Sequence, residues 1–144
     1  MAAEANKDIV RRFFHDIADN TNPAATEELL DATYVGYFSG APGPLDRAGA
    51  AQFMGMFHAA FPGVTHTIQD LLAEGDTVAA RITVRGTHQH DFLGLPPTGR
   101  TFDIGSINVF RLHDGKIVEH HAIFDNLAMM QQIGAIPAPT QAPV

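Results

Sequence analysis

A chain of 144 residues, 45% of them hydrophobic, suits one compact domain with a real core. Nine Lys and Arg against sixteen Asp and Glu leave a net charge of −7, which argues against nucleic acid or an anionic membrane as partner. The absence of cysteine excludes disulfides, thiolate nucleophiles and Cys-based zinc sites.

Residues 4–19 carry Ile9, Val10, Phe13, Phe14 and Ile17 at helical steps, with Lys7, Asp8, Arg11, Arg12 and Asp16 mostly off that stripe. This predicts an amphipathic first helix, not a signal peptide, because no apolar core precedes a small-residue cleavage site. No apolar run approaches the ~20 residues of a membrane span, so a soluble cytoplasmic protein is expected. Asn20 to Pro23 breaks the helix, and a short second helix is expected over Ala24 to Asp31. Tyr34 to Phe38 reads as a short strand, and SGAPGPLD as a loop on Gly and Pro. A third helix from about Leu45 to Phe61 turns Ala50, Phe53, Met54, Phe57 and Phe61 inward and ends at Pro62-Gly63.

Beyond Pro62 the pattern turns to strands. His66 to Glu74 and Thr77 to Thr87 flank a Gly75-Asp76 turn, the second alternating Val78, Ala80, Ile82 and Val84 against Thr77, Arg81, Thr83 and Arg85. DFLGLPPTGR is a loop, and Phe102 to Leu112 and Lys116 to Phe124 are joined by HDGK, whose Asp-Gly favours a tight hairpin. Leu127 to Ile133 reads as a helical turn, and residues 138–144 as a frayed tail. Helices first and a meandering antiparallel sheet second give an α+β class, the sheet curled over the helices.

KIVEHHAIFD places two histidines side by side in the last strand, so they face opposite ways. Val118, His120, Ala122 and Phe124 share one face, and Ile117, Glu119, His121 and Ile123 the other. Both faces are mixed, which suggests a core or cavity on one side and a subunit contact on the other. We assign Asn108, Phe110, His120, Ala122 and Phe124 to the cavity. Phenylalanine supplies ten of the aromatics, tyrosine two and tryptophan none, which suits a greasy pocket for a flat ligand as well as plain packing.

The stretch GTHQHDFLGLPPTG, followed by FRLHDGKIVEH and preceded by RRFFHDI, resembles the SnoaL-like polyketide cyclase family across about residues 8–137. The resemblance implies the cone-shaped α+β barrel of nuclear transport factor 2, dimerisation through the outer sheet face, and a hydrophobic pocket at the wide end. It also implies a cofactor-free enzyme that closes the last ring of an aromatic polyketide by intramolecular aldol condensation. The acid/base pair implied for that reaction falls at Ala122, where an Asp is expected, and at Asn108, where a His is expected. Both halves of the pair are missing, so the fold transfers and the aldol mechanism does not.

His120 is then the candidate proton-transfer group, since imidazole titrates near neutrality. The bland alternative is a structural histidine on the pocket wall. Asn108 can donate a hydrogen bond to a developing enolate or epoxide oxygen but cannot move a proton; its alternative is a buried, satisfied amide. His88 and His90 form H-x-H before Asp91, a spacing that could hold zinc given a third ligand. His88 and Asp91 match the family pattern, which uses no metal, so no metal is expected and His90 is placed at the pocket rim. His15, Tyr37, Met54, Phe57, His88, His90, Phe110, Ala122 and Phe124 complete the expected substrate-binding set. The expected function is a cofactor-free enzyme of polyketide or related natural-product metabolism acting on an apolar ring system by cyclisation or isomerisation. A hydroxylase or epoxide hydrolase on the same fold, a binding protein that kept the pocket without the chemistry, and a dimeric scaffold are the alternatives.

Overall fold

The computed structural model describes residues 2–137, so the tail expected over 138–144 lies outside the described residues. The first helix, α1, spans Ala2–Arg12 and continues into a π-helical segment over Phe13–Asp19. Val10, Phe13, Phe14 and Ile17 are buried as the apolar stripe requires. The wider turn was not readable from that stripe, which fits one continuous α-helix. Helix α2 covers Pro23–Leu29, with Pro at its start and the Asn22 side chain accepting from Ala24 N–H. Helix α3 covers Arg47–Ala60, capped by Asp46, whose carboxylate accepts from Gly49 N–H at 2.7 Å.

Five strands form one sheet in the order β1-β5-β4-β3-β2. They are β1 Leu30–Phe38, β2 Thr65–Glu74, β3 Thr77–Thr87, β4 Thr101–His113 and β5 Lys116–Phe124, and α4, Asn126–Gln132, closes the described chain. The architecture is α+β, a curved sheet wrapped over the helices but not closed on itself. From β2 to β5 the pairing is antiparallel, as expected; β1 joins the edge parallel to β5. The β4–β5 hairpin turns on Asp114 and Gly115, both at positive φ, the geometry that Asp-Gly supplies for a tight two-residue turn.

Inward and outward residues alternate without a break along β4: Phe102, Ile104, Ser106, Asn108, Phe110 and Leu112 are buried. On β3, Val78, Ala80, Ile82 and Val84 are buried too. Strand β5 departs from simple alternation. Leu112 pairs with Ile117 and Arg111 with Glu119, which leaves Val118 as an extra residue. That bulge turns both Ile117 and His120 inward, so Ile117, expected outside, is in the core and Val118 is only half-buried. His120, Ala122 and Phe124 keep their expected face.

Candidate active site

The inner face of β4 and β5 carries a chain of polar side chains sunk in aromatic packing. His120 Nε2 lies 2.8 Å from Asn108 Oδ1, and Asn108 Nδ2 donates to Ser106 Oγ at 2.6 Å. With the amide nitrogen committed to Ser106, the amide oxygen must accept, so Nε2 of His120 carries the proton. His120 Nδ1 is then a bare acceptor, and the Tyr34 hydroxyl from β1 lies 3.3 Å away to donate to it. Phe110 stacks on the imidazole at 4.1 Å, while Phe13 and Phe38 meet it edge-on at 5.1 and 5.0 Å. Burial, and secondarily the neighbouring His121, lowers the His120 pKa to about 3. Burial also pushes the Tyr34 hydroxyl up. The chain is therefore neutral, and each nitrogen of His120 is occupied.

The hollow in the cone lies elsewhere. A small cavity of about 30 Å³, room for roughly two waters, is lined by Ala18, Phe53, Met54, Phe57, Val64, His66, Val84, Ile104 and Phe124. Phe53 and Phe57 also wall a second, more open hollow of about 230 Å³ between α3, the loop carrying Phe92 and Leu93, and α4 with Met129 and Met130. Two phenylalanines on one helix thus separate an inner chamber from an outer one. A wider groove of about 540 Å³ runs between α2 and α3 past Thr26, Glu27, Arg47 and Gln52.

Of the residues expected to bind substrate, Met54, Phe57 and Phe124 line the cavity. His120, Asn108, Phe110 and Ala122 share the inner face but are packed beyond the cavity wall. Three expected pocket residues face away from it. His15 is exposed and lies 2.6 Å from Asp16, because the turn that buries Phe13, Phe14 and Ile17 leaves position 15 outside. Tyr37 follows the alternation that buries Tyr34 and Phe38, so it sits on the outer face, stacked on His121 at 4.6 Å. His90 is exposed on the loop, its backbone N–H donating to Ala60 O at 3.2 Å. His88 is fully buried against Phe61, and its Nδ1 accepts from Thr98 N–H at 3.2 Å. Its Nε2 has no partner among the described residues. Among the described residues no three His, Asp or Glu side chains converge as metal ligands.

One ionisable residue that lines the cavity was not singled out from the sequence. His66, at the start of β2, contacts Asp19 at the end of the π-helical segment, Nδ1 to Oδ1, at 2.8 Å. The same carboxylate oxygen accepts from the His66 backbone N–H at 2.8 Å, and the Asp19 carbonyl accepts from His58 Nε2 at 2.9 Å. His66 and Asp19 lie 47 positions apart in the chain. No local motif joins them, and only the docking of helix on strand does.

The sheet order, the buried helix and the pocket between α3 and the strands all point to one fold family. The SnoaL-like polyketide cyclase family model matches residues 8–133. The chain belongs to that family. Across 141 residues it is 28% identical to aklanonic acid methyl ester cyclase DnrD of Streptomyces peucetius, covering 92% of each chain. Over 85 residues it is 31% identical to nogalonic acid methyl ester cyclase of Streptomyces nogalater, covering 58% of this chain and 63% of that one. The crystal structure of wild-type IdmH from Streptomyces antibioticus superposes with a TM-score of 0.82 at 35% identity, over 90% of this chain and 98% of that one. In this SnoaL-like chain, Ala122 and Asn108 lie as cross-strand partners on the inner face, where the resemblance implied an acid/base pair.

Proposed function

We propose that this protein is a polyketide cyclase-like enzyme that closes a ring in an apolar, polycyclic polyketide methyl ester by intramolecular aldol chemistry, without a cofactor. The observation that carries this reading is the apolar double chamber behind Phe53 and Phe57, in a chain whose relatives are named as methyl ester cyclases. Neither chamber alone reaches the ~300 Å³ at which small-molecule sites begin. A polycyclic substrate therefore requires the two phenylalanine rings to turn aside and join them, and Met54, Met129 and Met130 supply adaptable walls. The Tyr34–His120–Asn108–Ser106 chain is packed behind the cavity wall and fixes the inner face of the sheet.

In an aldol closure a carbon flanked by carbonyls loses a proton and the resulting enolate carbon bonds to a ketone carbon. The ketone oxygen becomes a hydroxyl by taking up a proton. Nothing is oxidised, and the product is an isomer of the substrate. The test is incubation with aklanonic acid methyl ester and with nogalonic acid methyl ester, followed by chromatography and NMR, since mass alone does not change. Ring closure above the uncatalysed rate supports the reading; an unchanged ester after long incubation overturns it. A second reading, a non-catalytic binding protein, is favoured by Ala122 at the position of the implied acid, and it predicts recovery of the ester bound but unchanged. On the outer face, exposed Ile107 and Ile123 pair across β4 and β5 beside Val109. We propose this apolar strip as the homodimer contact.

A further inference from the structure

We propose that His66, oriented by Asp19, is the proton-transfer group of the cavity, in place of the acid/base pair that the resemblance implied at the positions of Ala122 and Asn108. This inference rests on the cyclase reading and names the residue that would carry its chemistry. The first observation is location. Every other side chain lining the inner chamber is aliphatic, aromatic or a thioether, so His66 alone among them can accept and return a proton.

The second observation is polarity of the ring. Asp19 Oδ1, at 2.8 Å, can only accept when ionised, so His66 Nδ1 carries the ring proton and Nε2 presents a bare lone pair. Nε2 has no protein partner among the described residues and, unlike His88 Nε2, is not sealed from solvent. It is therefore reachable. His120 has the opposite arrangement: its bare nitrogen is capped by Tyr34 and its ring is enclosed by phenylalanines.

The third observation is the backbone that delivers Asp19. The π-helical turn over Phe13–Asp19 places Ala18 in the cavity wall and Asp19 against β2. π-helical turns cost stability and recur at functional sites. His58 from α3 pins the Asp19 carbonyl, and the His66 backbone N–H shares the carboxylate, so Asp19 is fixed from two sides. Asp19 is a positioning residue; it holds the tautomer and stabilises the imidazolium that forms.

His66 Nε2 removes the proton from the carbon between two carbonyls, and the C–H electron pair becomes the enolate. The enolate carbon forms the new C–C bond, the carbonyl π pair moves onto its oxygen, and that alkoxide takes the proton back from His66 Nε2. His66 ends neutral.

The experiment measures kcat and KM for aklanonic acid methyl ester with wild type, His66→Gln and Asp19→Asn, alongside thermal melts that establish folding. It also records ¹⁵N-imidazole NMR spectra of wild type and Asp19→Asn. We expect His66→Gln to lower kcat by roughly 10²–10⁴-fold with KM within about threefold. Asp19→Asn should lower kcat by about tenfold or more at similar KM, and redistribute the His66 proton between the two nitrogens. A folded His66→Gln protein whose kcat stays within about threefold of wild type overturns the assignment. If wild type closes no ester, the cyclase reading fails and the spectrum decides the dyad: Nδ1 protonated and Nε2 bare supports it, the reverse tautomer sinks it.

Discussion

His120 and Asn108 meet diagonally across β4 and β5, Nε2 to Oδ1 at 2.8 Å, with both side chains at 2% exposure. Removing the amide leaves a buried N–H on one side and a buried Ser106 hydroxyl on the other without their partner. Such orphaned groups cost roughly 1–3 kcal/mol each. Asn108→Ala is therefore expected to lower the unfolding free energy by about 2–4 kcal/mol. Urea melts with an unchanged m-value would show it, and a loss below about 0.5 kcal/mol would contradict the buried network.

Acid should destabilise this protein through the same histidine. Its pKa is about 3 when folded, against an unfolded value near 6.5. Between those values the unfolded chain binds a proton that the folded chain does not, so stability rises with pH. The contribution is present in full above pH ~6.5 and falls away toward pH ~3, with a slope of at most ~1.4 kcal/mol per pH unit. Lowered carboxyl pKa values at Asp16, Glu28 and Asp31 add acid sensitivity of their own. The discriminating measurement compares wild type with His120→Gln: the variant should lose the slope between pH 6.5 and 5, where those carboxyls are still ionised.

Strand pattern and turn chemistry carried most of this fold into view. Thr77 to Thr87 and Lys116 to Phe124 read directly, because alternation and the Asp-Gly turn are local signals. The β5 bulge was hidden, since an extra residue shows only in the partner's register, and it moved Ile117 inside. Strand β1 begins at Leu30 rather than Tyr34, a start hidden because Asp31, Ala32 and Thr33 carry no alternating pattern; its parallel pairing with β5 is tertiary. For the candidate site, the face of His120 was readable from period two. Its enclosure by Phe13 and Phe38, and the meeting of Asp19 with His66, depend on helix docking that no short stretch of sequence encodes.

Gly36 lies beside His120 in the β1–β5 register, on the inward face between Tyr34 and Phe38. A Cβ there would sit 2.5 Å from the Tyr34 hydroxyl. Gly36→Ala should therefore push Tyr34 off His120 Nδ1 and cost about 1–3 kcal/mol through overpacking. The test pairs a thermal melt with the imidazole NMR signal of His120. A shifted signal together with a lower melting temperature is expected, and an unchanged pair would refute the tight fit.

Phe57 separates the inner and outer chambers and touches Phe53, Phe61 and Phe92 with centroids at 6.1, 5.3 and 5.5 Å. It is half-buried, so Phe57→Ala should cost less than a core phenylalanine, about 2–3 kcal/mol. The same change merges the two hollows. Apolar polycyclic ligands should raise the melting temperature of the variant more than that of wild type, measured by ligand titration of thermal unfolding. Equal shifts would mean that Phe57 does not gate the interior.

Ile107 and Ile123 face each other across β4 and β5 on the outer side of the sheet, 54% and 67% exposed. Val109 and the Tyr37–His121 stack extend the strip along the same face. Apolar side chains left this open lose hydration cost when covered, at roughly 25 cal/mol per Å². A two-fold contact here would double every such residue. Lysine at these positions places cations against cations across that axis, while surface substitutions on one chain typically change stability by less than ~0.5 kcal/mol. The double variant Ile107→Lys, Ile123→Lys should elute at half the wild-type mass in light-scattering chromatography and melt cooperatively. Wild type running as a monomer, or the double variant keeping the dimer mass, would place any subunit contact elsewhere.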